Sequence, residues 1–294
     1  MKIGVIGTKG GWSSETLADT AGAVTGERLL IEMDKTVLDL DAGKVWFNDQ
    51  DLTAFDALII KKIGAKYSPD LLDRLEILRF LSGKGVKIFS SPTRIMRVLD
   101  RLSCTVTLRL SGIPMPPTTI TENVDMAQRT LEMYKEAVFK PLYSTKARGM
   151  MVLKADKKSR ELITRYKEEN RIIYIQKKID LGDRDLGVVF LGGRYLTTYA
   201  RCNQGNSWNT TTVSGGKYER HEPAPETIAL AKKAQDLFGL DFTCVDVVET
   251  AKGPIVFEVS AFGGFRGIVN TSDLDPAGLF VEYVTNKLSE ENRP

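Results

Sequence analysis

Histidine, cysteine and long apolar runs are all scarce in this chain. One histidine, His221, stands beside Glu222 and Pro223 in a polar stretch. That excludes multi-histidine metal centres and leaves a Ser-His-Asp hydrolase without a base. His221 itself reads as a solvent-facing loop residue. The three cysteines, Cys104, Cys202 and Cys244, lie far apart and form no CxxC pair. A disulfide framework and a structural zinc site are thereby disfavoured, and a reducing cytoplasm fits best. No apolar run is long enough to span a bilayer. The opening Met1-Lys2-Ile3-Gly4-Val5-Ile6-Gly7 is broken by glycine too soon for a signal peptide. An excess of one charge is also missing. The 41 basic and 38 acidic residues leave +3, too little to argue for nucleic acid. The pairs Lys61-Lys62, Lys157-Lys158 and Lys232-Lys233 read as solvated faces. Chemistry here has to run on carboxylates, lysines, arginines and bound ions.

What is present is an ordinary globular composition, 42% hydrophobic and 27% charged, in a chain long enough for two or three lobes. Residues 1 to about 95 alternate short apolar runs (Ile3 to Ile6, Leu29 to Glu32, Ala57 to Ile60, Val86 to Phe89) with helical patterns (Ser14 to Ala23, Pro69 to Ser82). This predicts a small open α/β sheet. The glycine loop Gly7 to Ser14 lacks the Gly-Lys-Ser/Thr ending of a Walker loop. It reads as a turn with Ser13 or Ser14 capping the first helix. A helix running from Val98 through Leu110 is expected to stop at Gly112, followed by Pro114, Pro116 and Pro117. Strands are expected at Ala137 to Lys140, Met150 to Lys154 and Tyr174 to Ile179, with a polar, basic loop from Pro141 to Met150 between the first two. Later come strands Leu186 to Leu191 and Tyr195 to Arg201, an uncharged loop Cys202 to Gly216, helix Glu226 to Phe238 and a closing helix Pro276 to Leu288.

The most telling segment is a hairpin. Thr243 to Val248 and Ile255 to Ser260 read as strands joined by Ala251-Lys252-Gly253-Pro254. If residue 250 pairs with 254, a regular register places Asp246 across from Glu258, with Ser260 farther along the same face. Directly opposed like charges are destabilising, and oxygen ligands at this spacing suit Mg²⁺ with a nucleotide phosphate. A slipped register with one carboxylate facing solvent is the plain alternative. Lys140 at a strand end, Gln176 to Ile179 offering backbone to a base, and Arg201 able to hold a phosphate point the same way.

In order and spacing this set resembles the ATP-grasp superfamily, and most closely its ribosomal-protein-S6-modifying glutamate ligase branch. The residues that carry the resemblance are Asp100-Arg101-Leu102, Gly112 to Pro116, Val138 to Pro141, Ile175 to Ile179, Gly182 to Asp185, Gly215-Gly216, Val245-Asp246-Val247 and Phe257 to Ala261. The resemblance implies an α+β and α/β fold with a leading α/β domain (1–96) and two lobes (97–184 and 185–294) that grip ATP. It implies phosphate contacts from Lys140 and Arg101, an adenine hinge at Gln176, Lys177 and Lys178, and a nucleotide-binding Asp185. Arg201 would steady the transferred phosphate, and Asn209, Thr210 and Thr211 would form a nucleotide-contacting turn. Asp246, Glu258 and Ser260 fall on the Mg²⁺ positions, with Mn²⁺ as a possible substitute. Arg266 would face the acceptor. The sequence departs from the family pattern at Lys177-Lys178 in the hinge, at Gly187 where an arginine is common, and at Ser260 and Thr211 where asparagine is usual. The implied activity is ATP-dependent carboxylate–amine ligation through an acylphosphate, adding an amino acid such as glutamate to a peptide, protein or small molecule. Neither nucleic acid nor membrane is an expected partner, and a homo-oligomer is compatible. A Mg-ATP-binding sensor that does not ligate is the alternative.

Overall fold

The computed structural model describes residues 1–203, 208–211 and 215–291. Part of the expected loop from Cys202 to Gly216 lies outside them. The chain begins with β1 (Ile3–Ile6), α1 (Trp12–Thr25), β2 (Leu30–Ile31), β3 (Thr36–Asp39), β4 (Lys44–Phe47), β5 (Gln50–Asp51), β6 (Ala57–Ile60), α2 (Asp70–Gly83) and β7 (Lys87–Phe89). Strands β2-β1-β6-β7 form a parallel sheet, and β3-β4-β5 a separate antiparallel one. The uninterrupted burial of β1 and β6 explains their continuous apolar runs.

Next come α3 (Pro92–Leu99) and α4 (Arg101–Leu110). The single helix expected from Val98 to Leu110 is in fact two. Asp100 breaks it because its carboxylate accepts from Leu102 N at 3.0 Å and caps α4, a contact worth about 1 kcal/mol. The expected serine cap of α1 is also corrected. The N-cap is Gly11, with no side-chain bond, and buried Ser14 Oγ instead accepts from Thr8 N.

The second lobe contains β8 (Thr118–Thr121), α5 (Val124–Tyr134), β9 (Glu136–Lys140), β10 (Met151–Lys154), α6 (Ser159–Glu169) and β11 (Ile173–Lys177), with sheet order β10-β9-β11-β8. The third contains β12 (Arg184–Leu191), β13 (Arg194–Cys202), β14 (Lys217–Arg220), α7 (Pro225–Asp236), β15 (Phe242–Thr250), β16 (Gly253–Ser260), α8 (Phe265–Thr271) and α9 (Pro276–Glu291). Its sheet order is β14-β13-β12-β15-β16. Sequence reasoning missed α6 and β14. His221 is not a free loop residue either: its Nε2 lies 3.4 Å from Glu249 Oε2.

The cores divide the molecule into two bodies. The second lobe has a core of its own, from Ala127 and Leu131 through Phe139 to Ile173 and Ile175. The first and third lobes share theirs: Leu58 and Ile95 belong to one cluster with Val188, Val247 and Val256. Lys61 is part of that join and not a solvated face. It is 3% exposed, donates to Gly263 O and lies 3.7 Å from the Phe265 ring centroid. The boundary free of a shared apolar core is therefore the one on which the second lobe faces the rest.

Candidate active site

A cleft of about 330 Å³ lies along that boundary, within the range of small-molecule sites. The second lobe supplies Val138, Lys140, Met150 and residues 176–179; the third supplies Asp185, Arg201, Asn209, Thr210, Thr211, Asp246, Phe257, Glu258 and Ser260. Arg101 bridges the two, donating to Pro141 O at 3.1 Å and to Glu258 Oε2 at 2.7 Å. All the residues singled out from sequence line it except Arg266, which packs with its guanidinium 5.3 Å from the Trp12 ring centroid.

The hairpin achieves its carboxylate pair by a different register from the one expected. Thr250 pairs with Gly253, not with residue 254, and Val247 with Val256. Continued regularly, that pairing would oppose Asp246 to Phe257 and leave Glu258 against core residue Val245. A β-bulge intervenes at Phe257. Asp246 then pairs with Glu258, Val245 with Val259 and Cys244 with Ser260. A bulge lets two consecutive residues face one partner, and both Phe257 and Glu258 line the cleft.

Each carboxylate has one cationic partner that leaves one oxygen open. Arg101 Nη1 donates to Glu258 Oε2 at 2.7 Å, and Arg201 Nη2 approaches Asp246 Oδ1 at 3.0 Å. Asp246 Oδ2 and Glu258 Oε1 receive no hydrogen bond among the described residues. The Arg101 side chain is 7% exposed but that of Glu258 is 42% exposed, so the carboxylate remains open on its cleft side. No group of three or more His, Cys, Asp or Glu among the described residues could hold a metal. Two hard oxygens with an adjacent hydroxyl fit Mg²⁺, which keeps waters and takes substrate phosphate oxygens to complete its shell.

Burial pushes Asp246 up to about 7; Arg201 opposes that, while Glu258 and Asp185 add to it. Burial acts on Glu258 in the same sense, but Arg101 and Lys140 outweigh it and hold the carboxyl below its usual range. Asp185 clamps Arg201. It accepts from Arg201 Nε at 3.1 Å and from Nη2, and also takes the Thr210 hydroxyl. Asn209 Oδ1 accepts from Thr211 N at 3.1 Å, closing the turn that holds Thr210.

The hinge run has fewer free backbone donors than expected. β11 is an interior strand that ends at Lys177. The Gln176 side chain faces Lys140, with Lys140 Nζ donating to its Oε1 at 2.6 Å. Lys177 N is bonded to Pro117 O and Lys178 N to Glu136 O. The first unclaimed backbone donor along this run is that of Ile179.

Burial, reinforced by Arg101, pulls Lys140 down to about 7. Nucleotide phosphates favour the charged form. Metal-free ATP binding at pH 8 should therefore take up protons, and its affinity should fall as pH rises above 7. Calorimetry in buffers of different ionisation enthalpy measures the uptake, which Lys140→Met should abolish; equal uptake in that variant would refute the assignment.

The basic loop between β9 and β10 contributes Thr145, Lys146 and Ala147 to the cleft wall. Its Lys146 and Ala147 have φ of 56° and 57°, a left-handed turn costing about 1–2 kcal/mol per non-glycine residue. Gly187, where the family pattern has arginine, opposes both Tyr199 and Asp246. A Cβ there would meet Tyr199 Cζ at 2.4 Å, so the tyrosine ring occupies the space. Sequence reasoning missed Tyr199.

The model of the RimK-like ATP-grasp domain matches residues 98–284. The tetrahydromethanopterin:alpha-L-glutamate ligase of Methanosarcina acetivorans is 27% identical over 275 residues, which cover 84% of this chain and 83% of that protein. Among solved structures, the RimK domain ATP-grasp protein of Sphaerobacter thermophilus superposes with a TM-score of 0.75 at 18% identity, covering 96% of this chain and 99% of that one. The ATP-grasp ligase PsnB with minimal precursor, Mg and ADP gives 0.71 at 16% identity, covering 98% of each chain. With the family model spanning well over half its length, the chain belongs to the RimK-like ATP-grasp family.

Proposed function

We propose that this ATP-grasp enzyme, an ATP-dependent carbon–nitrogen ligase, adds an amino acid such as glutamate to the carboxylate of a peptide, protein tail or small molecule. The observation that carries the reading is the Asp246–Glu258 pair, opposed across a bulge in a cleft that also gathers Lys140, Arg101 and Arg201. Two of the relatives named above, the Methanosarcina acetivorans protein and PsnB, are named as ligases, which lends no support to a non-ligating sensor.

In the first step an acceptor carboxylate oxygen attacks the terminal phosphorus of ATP. The bond to the bridging oxygen breaks and ADP leaves, giving an acylphosphate. An amine nitrogen then attacks the acyl carbon, the carbon–oxygen bond to phosphate breaks, and the amine loses a proton as the amide forms. The protein's part is positioning and charge. Lys140 and Arg101 offset phosphate charge. Arg201, pinned by Asp185 and Asp246, presents a fixed guanidinium to the transferred group. Asp246 and Glu258, with Ser260 alongside, would hold Mg²⁺, which withdraws charge from the phosphates when bound; Mn²⁺ could serve in its place. The loop from Leu142 to Gly149 shields the acylphosphate from water. We assign the enzyme to a reducing cytoplasm: the three cysteines are free and buried, and no helix among the described residues is long and apolar enough to cross a membrane.

The test is phosphate release from Mg-ATP with pooled amino acids against a panel of carboxylates, followed by mass spectrometry. Ligation yields a product heavier by one amino acid less water. Tight Mg-ATP binding without ADP release across the panel would refute the proposal.

A further inference from the structure

A base-binding hinge needs only the backbone of Gln176, yet its side chain is 1% exposed and both of its polar atoms are engaged. Along β11 successive side chains alternate, so Ile175 enters the second-lobe core while Gln176 faces the other way. Its Oε1 accepts from Lys140 Nζ at 2.6 Å. Its Nε2 donates to Thr118 Oγ1 at 3.2 Å across the ladder between β11 and β8, and lies 3.5 Å from Tyr174 OH. An amide has one accepting and one donating end, and its partners decide which faces which. Thr118 Oγ1 spends its own proton on Pro116 O at 2.9 Å, so towards Gln176 it can only accept. The ammonium of Lys140 can only donate. Both ends demand the same orientation. Tyr174 OH is held in turn by Thr105 Oγ1 at 2.9 Å. Thr105 stands one turn after Arg101 on α4, whose Cys104 and Leu108 belong to the core shared by the first and third lobes. The amide is thus fixed from β8 and, through Tyr174, from the opposite body of the cleft.

What the amide offers matters as much as where it points. Lys140 is 8% exposed and has no ion-pair partner among the described residues. Burial and Arg101 of α4 lower its affinity for a proton, while Glu258 of β16 and Asp246 of β15 act in the opposite sense. Each of those carboxylates has an arginine of its own. Gln176 therefore gives the lysine a hydrogen-bond partner without giving it a counter-charge. A carboxylate in the same place would neutralise the ammonium and set a negative charge beside the phosphates.

We propose that Gln176, oriented by Thr118, is a positioning residue for Lys140: its amide oxygen aims the ammonium into the cleft and leaves its charge for the nucleotide phosphates. The inference rests on the assignment of Lys140 to those phosphates. It adds that a side chain of the expected hinge acts on the phosphate end of the nucleotide, and that this action needs a neutral acceptor.

The test is calorimetric binding of Mg-AMPPNP and of metal-free ATP to the full chain and to Lys140→Met, Gln176→Glu, Thr118→Val and Thr118→Ser. Gln176→Glu keeps the shape and adds the counter-charge. It should bind both nucleotides about ten-fold more weakly, and the pH above which metal-free ATP affinity falls should rise from about 7. Thr118→Val keeps the branched shape and removes the acceptor that orients the amide. It should bind about three- to ten-fold more weakly at an unchanged melting temperature, and Thr118→Ser should bind like the unmodified chain. A purely structural role would move melting temperature and affinity together and leave the pH dependence where it was. Affinity and pH dependence in Gln176→Glu equal to those of the unmodified chain overturn the inference. So does an equal loss, or no loss, in the two Thr118 variants. Should Gln176→Glu fail to fold, the Thr118 pair decides alone. Undiminished binding by Lys140→Met would overturn the phosphate assignment, and the inference with it.

Discussion

Asp246→Asn is expected to lower ATP turnover about 10³-fold and to leave the metal-free protein at least as stable as before. The activity loss follows from the proposed role of Asp246 as an anionic Mg²⁺ ligand, since that ion contributes several kcal/mol to phosphoryl transfer. The stability expectation follows from the sign of the shift. Burial raises the Asp246 carboxyl from 3.8 to about 7. A raised carboxyl favours the folded state below its unfolded pKa, and that contribution is lost as pH climbs from about 4 to 7. Asparagine has no such loss, and Arg201 keeps Asp185. Melting curves in EDTA should thus show the variant gaining on the parent as pH rises through this window.

Glu258→Gln should be equally inactive but less stable, by about 2–3 kcal/mol, because it strips buried Arg101 of its only carboxylate among the described residues. The partial exposure of Glu258 keeps the cost below that of a fully buried pair. Near-normal turnover in both variants would refute the metal assignment, and equal melting temperatures would refute the distinction between the two partners.

Gly187→Ala is expected to be strongly destabilising. Its Cβ would lie 2.4 Å from Tyr199 Cζ, and the ring cannot retreat because Gly267 packs on it, where an added Cβ would lie 2.5 Å from Cε1. Overpacking of this kind costs typically 1–3 kcal/mol, and a ring held between two backbones belongs at the upper end. The melting temperature should fall by about 5–10 °C. Tyr199→Leu in the same chain should recover most of it, a coupling that a double-mutant cycle measures. An unchanged melting temperature in Gly187→Ala would show that the ring is free to move. The same packing gives Gly187 a physical reason: with Tyr199 in place, an arginine does not fit.

Much of the site was legible because its residues carry chemistry in their types and order. Lys140 at a strand end, Asp185 beside a partner strand and two carboxylates in one hairpin are visible without coordinates. Other parts were hidden for identifiable reasons. Phe257 suits a regular strand as well as a bulge, so nothing local announced the shift. The polar edge strand Lys217–Arg220 lacks the alternation that marks a half-buried one. Asp100 was a readable cap, overlooked because the apolar pattern runs through it. Arg266 shows what sequence order cannot give: it follows the metal hairpin closely, yet α8 turns it onto Trp12.

The bulge makes two properties of one strand independently adjustable. Deleting Phe257 would close the ladder into a single regular register, with Val247 against Val256 and Asp246 still against Glu258. The metal pair would survive such a deletion; the aromatic ring 5.2 Å from Lys140 Nζ would not. Descendants of this hairpin can therefore lose or exchange the aromatic floor without touching the ion, and an alignment that gaps one residue there would record a change of platform, not a loss of the ligand pair.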